Sequence, residues 1–177
     1  MKKREAIVFI DGNNWYHNSK SIIDKPSKID ILKLSEFICS KFNVNLKKIR
    51  YYNSIPDISD DEKIYYKHLE FLKKLEKKGI IIRTRKLQKI DGEKRENGID
   101  VLISVDMIRK TLLENECECC IIISGDADFI PAMEIIKKKG FEAISCCVPQ
   151  GHASELKEGK FRYLILKKKD LLDNCLS

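Results

Sequence analysis

No stretch of this chain approaches the roughly 20 consecutive apolar residues that a membrane-spanning helix needs, so a bilayer-spanning helix is excluded. Met1-Lys2-Lys3-Arg4 carries the charge of a secretory leader, but the apolar run behind it ends at Asp11, too short for a leader core. The expectation is a cytoplasmic protein with no membrane partner. Internal repeats, low-complexity segments and linker-like stretches are also missing. The 177 residues therefore read as one domain, 1–177, long enough to bury a full core. The seven cysteines are an odd number in a chain without secretory features, which argues for free buried thiols over a disulfide framework. Cys117-Glu118-Cys119-Cys120 contains a CxxC, and Cys146-Cys147 could complete a zinc site. If their strands run parallel, the two pairs stand at opposite sheet edges, which disfavours zinc.

Acidic residues are outnumbered. The formal net charge is +7 and the sequence pI near 9.0. Basic residues cluster at Lys47-Lys48 with Arg50, at Lys73-Lys74 and Lys77-Lys78, at Arg83, Arg85 and Lys86, and in the lysine runs 137–139 and 167–169. Such an excess favours polyanionic partners. The alternative is that lysines at helix ends are solvated and complement the helix dipole.

Against that background, Ile121-Ile122-Ile123 and the following Ser124-Gly125-Asp126-Ala127-Asp128-Phe129 organise the chain. Consecutive β-branched residues suit a strand buried on both faces. Ser124 and Gly125 permit a turn, two carboxylates follow, and Phe129, Ile130, Met133 and Ile136 keep helical spacing, with Pro131 tolerated in the first turn. Ile7-Val8-Phe9-Ile10 followed by Asp11-Gly12-Asn13-Asn14 has the same form. Ligands of open parallel sheets bind beyond the carboxyl ends of strands, where these acids fall.

The remaining pattern alternates helices with short strands. A helical turn is expected at Trp15-Tyr16-His17. A helix capped by Asp30 carries Ile31, Leu34, Ile38 and Phe42, and a second strand covers 49–52. Ser59-Asp60-Asp61-Glu62 has the form of a capping box for a helix ended by Gly79. His68 lies on its apolar face and reads as a core or border residue. A third strand covers 80–87, and Asp91-Gly92 signals a hairpin. For 99–113, the spacing of Val101, Val105, Ile108 and Leu112 favours a helix buried nearly all round. Strands over 120–123 and 141–148 follow, then a short helix over 154–157, a strand over 163–166 and a terminal helical turn over 170–175. This alternation predicts an α/β fold with a parallel sheet.

Asp11, Asp100, Asp126 and Asp128 would face one sheet edge. Mg²⁺ and Mn²⁺ take oxygen ligands and keep several waters, so a few converging carboxylates suffice. Each acid alone reads more readily as a helix cap or turn residue than as a ligand. Asp106, six residues from Asp100, falls on another helix face and reads as a packing contact. Trp15, Tyr16 and Phe129 flank the acidic motifs. Phe129 reads as core, whereas Trp15 suits either core or stacking on the bases of a single-stranded polyanion.

The order Ile10-Asp11-Gly12-Asn13-Asn14, Asn97-Gly98-Ile99-Asp100-Val101 with Asp106-Met107, and Ser124-Gly125-Asp126-Ala127-Asp128-Phe129 closely resembles the NYN domain, a family of PIN-like nucleases. The resemblance runs over about 7–166. It implies a Rossmann-like, three-layer α/β sandwich with a mainly parallel central sheet, an acidic site and metal-dependent ribonuclease activity. Carried over by position, Asp11, Asp100, Asp126 and Asp128 match the family's acids, Asn14 its polar site residue, and Ser124 supports the turn. Many relatives carry Lys where this chain has Asn97, so Arg95 substitutes as a phosphate contact or affinity is lower. Many also carry an acid near Phe161, where this chain has Gly159-Lys160-Phe161-Arg162.

The expectation is a metal-dependent endoribonuclease using Mg²⁺ or Mn²⁺ on single-stranded or structured RNA, with Asn14, Trp15, Arg83, Arg85, Lys86 and Arg95 contacting substrate. Homo-oligomers stay open, and neither His17 nor His152 is assigned as a base. The alternatives are a non-catalytic RNA-binding module or another metal-phosphate enzyme. A Toprim-type domain takes Glu where this chain has Asp11. A HAD phosphatase needs Asp-x-Asp after the first strand, and Asp11-Gly12-Asn13 lacks the second acid.

Overall fold

The computed structural model describes residues 2–86, 88–90, 93–95, 98–158 and 160–177, with side chains described throughout except in 88–90 and 93–95. The elements run β1 (Glu5–Asp11), α1 (Gly12–Ser19), α2 (Ile31–Lys41), β2 (Asn45–Ile55), α3 (Glu62–Lys77) and β3 (Ile81–Lys86). They continue with β4 (Gln88–Ile90), β5 (Glu93–Arg95), α4 (Ile99–Ile108), β6 (Cys119–Ile123), α5 (Ile130–Lys138), β7 (Glu142–Cys147), β8 (Arg162–Ile165) and α6 (Lys168–Asn174).

Six strands form one sheet in the order β3-β2-β1-β6-β7-β8, every neighbouring pair parallel. The chain winds outward from β1 to β3 and crosses back to β6, so the strand order reverses between β1 and β6. This is the doubly wound arrangement whose reversal point opens a crevice at the carboxyl edge. Ile7 and Phe9 pack on one face with Ile103 and Met107 of α4 and Met133 and Ile136 of α5. Val8 and Ile10 pack on the other with Trp15, Leu34 and Ile38. Burial on both faces is why β1 and β6 read as unbroken apolar runs.

Helix starts follow their caps. The Asp30 carboxylate accepts the Leu32 and Lys33 amides at 2.9 and 3.3 Å, and Asp61 accepts that of Ile64 at 3.0 Å. Gly79 (φ +81°) ends α3. Gln88–Ile90 and Glu93–Arg95 pair antiparallel around the predicted hairpin, whose residues 91–92 lie outside the described ones. All seven cysteines are free and buried.

Three expectations need correction. The second strand is eleven residues long, because both of its edges are paired, by β1 and by β3. The turn at Trp15 is a full helix, Gly12–Ser19. The helix after Gly98 is not buried nearly all round. Val101 and Val105 are 64% and 52% exposed, and a π-helical turn, Arg109–Leu113, follows α4 with Leu113 73% exposed. Only the side carrying Ile99, Ile103, Asp106 and Met107 meets the sheet and α5. No helix among the described residues is long and apolar enough to cross a membrane.

Candidate functional site

The reversal point sets the site. Ile10 of β1 pairs with Ile123 of β6, so Asp11 stands level with Ser124 as both strands leave the sheet. The Ser124 hydroxyl accepts the Asp126 amide N–H at 3.3 Å, and its carbonyl accepts the Ser145 hydroxyl at 3.0 Å, which tightens the turn and ties it to β7. Asp126 accepts the Asp128 amide N–H at 3.0 Å and so starts the single turn that leads into α5. Gly125 is required by close approach: a Cβ there would stand 1.7 Å from the Gly151 carbonyl oxygen. The loop is latched at that point, the Ala153 amide donating to the Gly125 carbonyl at 2.8 Å.

The third acid comes from across the crevice. Gly98 adopts φ +71°, a conformation that favours glycine, and turns the chain into α4, whose first turn carries Asp100. Asp100, Asp126 and Asp128 each present a carboxylate oxygen, all within 4.8 Å of one another. Asp100 and Asp126 are half-buried and Asp128 is exposed. The arrangement joins a helix start to a strand end. Three hard oxygen donors at this spacing fit a divalent cation of the Mg²⁺ or Mn²⁺ class.

Asp11 lies outside that group of three. It is buried, and its Oδ1 accepts the Asn14 amide N–H at 3.1 Å, capping α1. The Asn14 Oδ1 accepts from Asn18 Nδ2 at 3.0 Å, and the Asn18 side chain packs against Gly151. Asn14, Asn18 and the 149–153 loop thus form a polar wall beside the Asp126 turn. Asn18 and Gly151 escaped the sequence reading, and only the glycine after Pro149 hinted at a close approach.

Trp15 corrects the stacking alternative. It is 5% exposed and packs in the core with Val8 and Ile10, because α1 lays Gly12, Trp15 and Ser19 inward. No ring face remains for a base.

The cations divide into engaged and unengaged. Asp106, 1% exposed, accepts Tyr52 Oη at 2.8 Å, Arg50 Nη2 at 3.1 Å and Arg109 Nη2 at 2.8 Å, and Arg83 Nε stands 3.7 Å away. Burial pushes this carboxyl up. The Tyr52 hydrogen bond and the neighbouring arginine charges more than offset that and hold it below its ordinary value. Arg83 therefore helps hold α4 to the sheet. Arg85 and Lys86 are exposed at the carboxyl end of β3. The Arg95 side chain, Asn97 and Gly159 lie outside the described residues. The His152 ring lies against that of Tyr163, centroids 5.1 Å apart and tilted by 37°, and burial, then the Lys157 charge, lower its pKa.

Comparison with known proteins places this geometry. No curated protein matches the chain. A crystal structure of VPA0982, a protein of unknown function from Vibrio parahaemolyticus, superposes with a TM-score of 0.68 at 18% identity. The match covers 99% of this chain and 97% of that one, and at this identity it shows the fold. The NYN domain matches residues 5–166, nearly the whole chain. The protein, with its acidic cluster at the reversal point of a parallel sheet, therefore belongs to the NYN domain family, which implies a nuclease.

Proposed function

We propose that the protein is a cytoplasmic, metal-dependent ribonuclease that hydrolyses RNA phosphodiester bonds at the carboxyl edge between β1 and β6. The observation that carries this reading is the convergence of Asp100, Asp126 and Asp128 within 4.8 Å in a chain of the NYN family. Asp100 and Asp126 sit at the ends of packed elements, so their oxygens are held with little freedom, and exposed Asp128 faces the side from which substrate arrives. Mg²⁺ or Mn²⁺ bound by these oxygens would supply charge neutralisation at the phosphodiester and activation of the attacking water.

The chain's own residues do the rest. Asp11 brings a fourth carboxylate to the same edge from the neighbouring strand. Asn14, its amide oxygen engaged by Asn18, offers its amide N–H groups to a phosphate oxygen. The basic surface raises the local concentration of a polyanion. No histidine is assigned a proton-transfer role.

The test is cleavage of end-labelled structured and unstructured RNAs by wild type and Asp126→Asn, with Mn²⁺, with Mg²⁺ and with EDTA. Cutting by wild type alone, and only with a cation, is the expected result. Binding of RNA without cutting under every condition would replace this reading with a non-catalytic RNA-binding module.

A further inference from the structure

Two polar side chains, Ser54 and Arg85, stand towards the amino end of α4, whose first turn carries Asp100. Ser54 is 5% exposed, and its hydroxyl has no hydrogen-bond partner among the described residues. Residues alternate along β2, so Ser54 shares a face with Arg50 and Tyr52, the two that bond Asp106 of α4. It is therefore turned towards α4, at the sheet's carboxyl end. Directly across the β2–β3 register stands Arg85. Arg83, two residues earlier on that face, is held by Asp106, whereas Arg85 makes no hydrogen bond or ion pair with a described residue. Its guanidinium lies over Gly98, Nη1 3.7 Å from where a Cβ would stand. Gly98 starts a ten-residue helix with no side-chain cap, so first-turn amide N–H groups face the same space.

We infer that Ser54, Arg85 and the amino end of α4 form a phosphate subsite, which seats the backbone phosphate next to the one at Asp100, Asp126 and Asp128. The inference rests on the ribonuclease reading and extends it by naming how the strand is held. A phosphodiester has two non-bridging oxygens. The planar Arg85 fork suits one, and the Ser54 hydroxyl with an α4 amide suits the other. The guanidinium also offsets the charge of Asp100, two residues into the same helix turn, so an anion can approach. None of these donors needs a cation, so the subsite works in its absence.

The test is binding of a fluorescein-labelled oligouridylate in EDTA at low salt, followed by anisotropy, for wild type, Ser54→Ala, Arg85→Met and the double variant. Arg85→Met should weaken binding about tenfold or more, as for a lost charge-assisted hydrogen bond. It should also flatten the log–log salt slope by about 0.7, one single-strand phosphate contact. Ser54→Ala should weaken binding several-fold in wild type and much less in the Arg85→Met background, because both act on one phosphate. Unchanged melting temperatures confirm that the fold is intact. Wild-type affinity in Ser54→Ala, or strictly additive losses, would overturn the subsite. Cleavage with Mn²⁺ separates the two readings. A protein that binds through these residues and never cuts keeps the subsite and loses the nuclease. One that cuts with unchanged KM in both variants keeps the nuclease and loses the subsite.

Discussion

Trp15 stands next to Asn14 in sequence but about 100° further round α1, where it lies inward with Gly12 and Ser19. Replacing it with Ala removes a large core side chain and should cost about 3–5 kcal/mol of stability. RNA affinity should be unchanged once the folded fraction is allowed for. A stable variant with weakened binding would contradict the placement. The residue also marks how far sequence carries at this scale. Carboxylates behind apolar runs were legible because a strand end fixes where they emerge. The side on which Trp15 falls was not, because neighbouring polar Asn14 and aromatic Tyr16 give no direction. Asp11 is similar: its place at the edge was legible, and its lying outside the 4.8 Å group was not, since that depends on where its side chain turns to cap α1.

At the scale of elements, α4 decides the site, because it carries Asp100 at one end and Asp106 further along. The Asp106 contacts to Arg50 and Tyr52 fix the helix against β2, and Arg109, at the end of α4 itself, bonds the same carboxylate. Asp106→Asn should cost about 3–5 kcal/mol at pH 7, since it leaves buried guanidinium charge uncompensated. The sign of the pH dependence follows from the lowered folded-state pKa. Stability from Asp106 is fully present above the ordinary value of 3.8 and is lost as pH falls through the lower folded value. Denaturant melts from neutral to acidic pH should show the gap between wild type and variant closing at the acidic end. A constant gap would exclude the ionised carboxylate as its source. The cap Asp30 was legible because capping is local chemistry, whereas the cap of α3 falls on Asp61 and not on Ser59, the first residue of the capping-box pattern. The exposed Val101 and Val105 were not legible, because a helix apolar on several sides does not reveal which side has a neighbour.

Over the whole molecule, alternation of helices and apolar strands was enough to indicate a parallel sheet, and the reversal between β1 and β6 gives the acids their common edge. A net charge of +7 bears on the partner. RNA binding should weaken with salt at a log–log slope of magnitude about 3 or more, roughly four single-strand phosphates. Anisotropy across a salt series measures it, and a flat response would remove the basic surface from recognition. The central claim is that Asp100, Asp126 and Asp128 hold a divalent cation. Thermal melts of wild type and Asp126→Asn with EDTA and with Mn²⁺ test it most directly, because Asn caps a helix about as well as Asp and preserves the turn. Mn²⁺ at a hundredfold excess over its dissociation constant should stabilise wild type by up to about 2.7 kcal/mol and the variant much less. In EDTA the variant should melt at or above wild type, since one charge leaves a cluster of like charges. Equal Mn²⁺-induced shifts in the two proteins would contradict the claim and remove Asp126 from the site.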